Sequence, residues 1–103
     1  MEKKKKQIKI ELDESVGQGE YANFAIVSHT PAEFIMDFIR ILPGMQKSNV
    51  KSRIIISPLH TKTFLSALKD NLDKYEKKFG EIKISKEQKT PNFNLSNKGN
   101  LPN

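Results

Sequence analysis

His29, Glu33 and Asp37 form the only grouping of a histidine with carboxylates that are close together in this chain. A ring that titrates near neutral pH beside two acids is the least equipment that proton transfer requires. On an extended strand these three positions share one side-chain parity, which makes a small polar site conceivable. No nucleophile, second base or oxyanion donor accompanies them. The simpler reading has His29 and Thr30 shaping a turn while Asp37 makes a polar pair on a sheet face. No catalytic residue is therefore assigned. His60 is the second and last histidine; a metal there would need His29 or carboxylates brought in by the fold. The chain has no cysteine, which removes disulfides, thiol catalysis and thiolate metal sites. No metal and no cofactor are expected.

Gly17-Gln18-Gly19 is too short for a phosphate loop, and no strand feeds it and no helix follows it. The Lys3–Lys6 run offers phosphates only a sequence-independent, salt-sensitive contact. Tyr21, Phe24, Phe34 and Phe38 have the spacing of a base-stacking sheet. Aromatic residues alternating through central strands more often make a core. The formal net charge is +6, but residues 7–82 hold ten basic and ten acidic residues, so the excess lies at the two ends. That distribution describes solvated tails rather than a shaped nucleic-acid surface.

The elements that would position these residues fit a single domain, since 103 residues leave room for no more. Residues 1–6 and 83–103 are polar and basic, with too little regular apolar content to order themselves, and are expected to be unstructured. The body spans residues 7–82. In Gln7 to Asp13, Ile8, Ile10 and Leu12 alternate with charged residues, which predicts a first strand with one wet face. Glu14 to Glu20 is a flexible connection. Tyr21 to Ser28 is a second strand, largely apolar on both sides and so central. Thr30, Pro31 and Glu33 have the spacing of a helix start, yet Glu33 to Leu42 is a β-branched and aromatic run bounded by Pro31 and Pro43-Gly44. Pattern alone divides evenly between helix and strand. Val50 to Ile56, rich in isoleucine, is the next strand.

Ser57-Pro58 then opens an unambiguous helix, with Ser57 as N-cap and Pro58 as its first residue, running to about Phe79 and ending at Gly80. Leu65, Leu68, Leu72, Tyr75 and Phe79 step down one side, flanked by Phe64 and Leu59. Charges occupy the other side, with Asp70–Lys74 and Asp73–Lys77 as i,i+4 pairs. No stretch of the chain approaches 18 apolar residues and no apolar run follows the lysines, so neither a membrane span nor a signal peptide is expected and the anticipated address is the cytoplasm.

Tyr21-Ala22-Asn23, His29-Thr30-Pro31, Glu33-Phe34 and Asp37-Phe38 together resemble a small bacterial and archaeal family, the domain of unknown function 3467. Arg53-Ile54, Ala67-Leu68, Asn71 and Tyr75-Glu76 continue the resemblance, which covers roughly residues 10–80. It implies a strand over Glu33–Ile41 and implies no activity.

The expected fold is therefore α+β: a four-stranded antiparallel meander followed by one long amphipathic C-terminal helix packed on one sheet face. Phe24, Ile26, Phe34, Met36, Phe38, Ile54 and Ile56 should meet the helix. Val27, Ile35, Asp37, Ile39, Ile41, Arg53 and Ile55 would then form a second, exposed face, too apolar for a monomer. A register pairing Leu42 with Val50 would set Asp37 opposite Ile55 and diagonal to Arg53. The expected function is non-enzymatic: a homo-oligomeric interaction or assembly protein, a dimer first of all, or a chaperone-like binder. The order of sheet then helix is similar to that of the SecB-type export chaperones, on topology alone. The alternative is a nucleic-acid-associated protein, binding through its basic tails or as a ribbon-helix-helix variant.

Overall fold

The computed structural model describes residues 7–84. The expected unstructured ends, residues 1–6 and all but two of 83–103, lie outside the described residues. Five elements follow one another: a single helical turn α1 (Glu14–Gly17), strands β1 (Phe24–His29), β2 (Phe34–Ile39) and β3 (Val50–Ile56), and the long helix α2 (Pro58–Phe79). The strands form one antiparallel sheet in the order β1-β2-β3. The class is the expected α+β, with three strands rather than four.

Gln7 to Asp13 is the strand that does not form. Ile8, Ile10 and Leu12 stand in solvent, outside the sheet. Alternation describes a strand only where a neighbouring ladder takes up its backbone groups, and this segment has none. Glu14 to Gly17, expected to be a flexible link, winds into α1, with the Asp13 carbonyl accepting from Val16 and Gly17 N–H.

Residues 34–39 are strand. The helix-start signal of Thr30, Pro31 and Glu33 works as a hairpin turn instead. The Thr30 hydroxyl accepts from the N–H groups of Ala32 and Glu33, both at 3.1 Å, while Thr30 N–H donates to the Glu33 carbonyl at 2.8 Å. The same side-chain cap serves a helix or a turn, and the β-branched residues that follow settle it here. A strand at this position also removes the second helix that a ribbon-helix-helix module requires.

β2 is central and carries the buried residues Ile35, Met36, Asp37 and Ile39. Cross-strand partners share a face, so Ile35, Asp37 and Ile39 lie with Phe24, Ile26 and Ser28 of β1 and with Arg53 and Ile55 of β3. Phe34, Met36 and Phe38 lie with Ala25, Val27 and His29, and with Ser52, Ile54 and Ile56. This corrects the expected faces in β1: Phe24 and Ile26 join Asp37, and Val27 joins Met36.

α2 begins as the sequence dictates. The Ser57 hydroxyl accepts from His60 N–H at 3.1 Å and Pro58 occupies the first turn. The helix ends at Gly80, whose φ of 98° suits a residue without a side chain. What does not follow is the expected packing of α2 on the sheet. Only Ser57 separates Ile56 of β3 from Pro58 of α2. Chains that reverse from a strand to a helix across the same sheet commonly use two to six residues; one extended residue carries the helix onward instead. No α2 residue is buried, and among the described residues extensive packing is confined to β1 on β2 and β2 on β3.

Candidate interaction surface

The middle of the sheet holds one ion pair. Asp37 sits halfway along β2 and faces Arg53 of β3 directly, not Ile55 as expected, because the ladder runs two residues away from the anticipated register. Arg53 Nε and Nη2 donate to Asp37 Oδ1 and Oδ2 at 2.6 and 2.9 Å, a two-pronged fork. The Asp37 side chain is 2 % exposed. The hydrogen bond to Asp37, aided by the carboxylate's charge and opposed by desolvation, raises the Arg53 pKa above its ordinary value. Both Asp37 oxygens are bound by Arg53 and the side chain is closed to solvent, so Asp37 ties β2 to β3 across the ladder.

His29, Glu33 and Asp37 are not brought together. Asp37 lies on one face of the sheet, whereas His29 lies on the other, its ring 5.5 Å from that of Phe34. Glu33 stays exposed in the turn between them. His60 is committed to the helix start, its Nδ1 2.7 Å from the Ser57 hydroxyl. Among the described residues no group of three or more His, Cys, Asp or Glu is placed to hold a metal ion. No helix among them is long and apolar enough to cross a membrane.

The seven residues expected to form an oligomer face do not share one environment. Ile35, Asp37 and Ile39 are buried; Arg53 and Ile55 are exposed beside them; Ile41 is half-buried past the end of β2, and Val27 is on the reverse side. Asn23 explains why Ile41 is held. Its side-chain amide donates to the Ile41 carbonyl at 2.9 Å and its side-chain oxygen accepts from Ile41 N–H at 2.7 Å. An asparagine side chain thereby prolongs the β1–β2 ladder by one step.

Besides Ile8, Ile10 and Leu12 and the sheet residues Val27, Val50, Ile54 and Ile55, α2 carries a continuous stripe of exposed apolar side chains. Phe64, Leu65, Leu68, Leu72, Tyr75 and Phe79 occupy one stripe at helical spacing and are 43–65 % exposed. Tyr75 and Phe79 touch at a ring separation of 4.9 Å. The opposite side is charged, with Lys74–Asp70 at 3.2 Å and Lys69–Asp73 at 3.3 Å, so Asp73 turns to Lys69 rather than to Lys77. The stripe was legible in the sequence; its lack of a partner was not.

A second feature escaped the sequence reading. A cavity of about 150 Å³ at the β2–β3 turn is lined by Arg40, Lys47, Ser48, Asn49 and Lys51 together with two apolar side chains. Summing charge over residues 7–82 concealed it. Locating the charge would have found it, because no acidic residue occurs between Asp37 and Asp70.

The chain belongs to the family described as Protein of unknown function (DUF3467), whose model matches residues 1–84. No curated protein and no solved structure matches it.

Proposed function

As a member of that family the chain, we propose, is a non-enzymatic interaction protein that works as a homodimer joined through α2. The observation that carries this is the exposed stripe from Phe64 to Phe79, which no element among the described residues covers. At roughly 200 Å² per aromatic ring system, Phe64, Tyr75 and Phe79 alone leave roughly 300 Å² of apolar surface in water, and the three leucines add to it. That reaches the largest patches ordinary monomers leave uncovered and approaches the roughly 800 Å² per partner of a standard interface.

A second copy is the occupant that fits. The one-residue link at Ser57 keeps this chain's own sheet from covering its helix, so every copy carries the same uncovered stripe. A two-fold pair closes both stripes against each other with one self-complementary contact. On the helix's charged side Lys69 and Lys74 are paired with Asp73 and Asp70, so the apolar stripe is the larger contact that the helix offers a partner.

Analytical ultracentrifugation of the wild type and of Leu68→Glu tests this reading. The wild type is expected to sediment as a dimer at micromolar concentration and Leu68→Glu as a folded monomer. A wild type monomeric at high concentration overturns it. Binding of the monomer to an unfolded polypeptide, lost in Leu68→Glu, would turn the stripe into a chaperone-like surface instead.

A further inference from the structure

We propose that the β2–β3 end of the sheet is a phosphodiester-binding site that holds single-stranded nucleic acid. Arg40 directly follows β2, Lys51 lies in β3, and Lys47, Ser48 and Asn49 come from the turn between them. Together they line the cavity of about 150 Å³, and among the described residues no carboxylate lines it with them. Among the described residues, the ion pairs are Lys9–Glu11, Arg53–Asp37, Lys69–Asp73 and Lys74–Asp70. Arg40, Lys47 and Lys51 therefore converge without a neutralising partner. An anion seated in this cavity is attracted by all three cations at once.

The size of the cavity selects the ligand. Sites for drug-sized molecules run to roughly 300–1,000 Å³; this one admits a phosphate group and leaves the rest of its bearer outside. Tyr21 supplies what lies outside. It is 67 % exposed, and the Arg40 guanidinium sits 5.7 Å from its ring centroid. Arg40 thus links an open aromatic platform to the cationic cavity. A base stacked on an exposed ring with its phosphate held by adjacent cations is the arrangement by which proteins bind single strands without reading sequence. A phosphate-bearing peptide or lipid would use the cations but not the platform.

Fluorescence anisotropy with the full chain and a labelled uridine oligonucleotide of about twelve nucleotides tests the site. Lys47→Gln/Lys51→Gln is expected to weaken binding at least tenfold and to make the log–log salt slope shallower by about 1.4, at about 0.7 for each phosphate no longer neutralised. Lys69→Gln/Lys74→Gln removes the same charge from the outer side of α2 and should change affinity less than about threefold. Tyr21→Ala is expected to cost about tenfold and Tyr21→Phe to restore it. All these positions are exposed, and circular dichroism checks that each variant keeps the wild-type fold. Equal losses in the two double variants would reduce the binding to overall charge and overturn the site. Competition by tripolyphosphate with no effect of Tyr21→Ala would leave a phosphate site without a nucleic acid and overturn the proposal. Sedimentation with phosphatidylserine vesicles in the absence of oligonucleotide binding would assign the surface to a membrane and overturn the proposal as well.

Discussion

Replacing Ile39 and Ile54 by glutamate distinguishes the two faces of the sheet. Read from the sequence, Ile39 belongs to an exposed oligomer face and Ile54 faces the helix, so Ile39→Glu should fold and Ile54→Glu should not. The structure reverses the expectation: Ile39 is 7 % exposed and Ile54 46 %. Ile39→Glu forfeits about 1.5–3 kcal/mol of apolar burial. It also sets a carboxylate two residues from Asp37 on the same face, in a site with no free cation, because the Arg53 fork is already engaged. An uncompensated buried charge costs several kcal/mol more. A body of about eighty residues has about 4–12 kcal/mol of stability in all, so Ile39→Glu should be largely unfolded at neutral pH. Ile39→Gln, with the same shape and no charge, should recover part of the loss. Ile54→Glu leaves a half-wet position and should cost about 1 kcal/mol. Urea denaturation followed by circular dichroism measures all three. A folded Ile39→Glu beside an unfolded Ile54→Glu would refute the face assignment.

Asn23→Ala removes both hydrogen bonds to the Ile41 backbone; at about 1 kcal/mol each, thermal melting should drop by roughly 8–16 °C. Ser57→Ala removes the acceptor at the start of α2 and should cost about 1 kcal/mol, with helix content at 222 nm falling before the sheet signal does. Arg53→Lys loses the two-pronged grip on Asp37 and should lower the melting temperature more than Lys74→Gln, whose partner Asp70 is in solvent. The raised Arg53 pKa means that the arginine's contribution is complete below its unfolded-state value and is lost only as pH climbs through the folded one. Melting curves from neutral to moderately alkaline pH should therefore show no loss attributable to this pair.

Sequence alone determined the elements that local chemistry specifies. Ser57, Pro58 and Gly80 bound α2 within a residue because a cap, a first-turn proline and a C-terminal glycine act over a few bonds. The strand over Phe34–Ile39 was an even choice from pattern and came out through family resemblance, since Thr30 serves a turn and a helix start equally well. The parity of β2 against β3 was legible, and so was the nearness of Asp37 to Arg53. Their register was not, because a two-residue slide keeps every side chain on its face while changing its partner. Tertiary structure alone decided what Gln7–Asp13 and α2 do with their apolar sides. Alternation and helical spacing record that a face is apolar, not that anything covers it. A strand needs an edge to pair with, and a helix needs a loop long enough to turn back. The first segment pairs with neither outer strand of the sheet, and Ser57 is too short a link for the second. The same distinction governs the charges: composition counts them, and only the fold sets Arg40, Lys47 and Lys51 around one cavity.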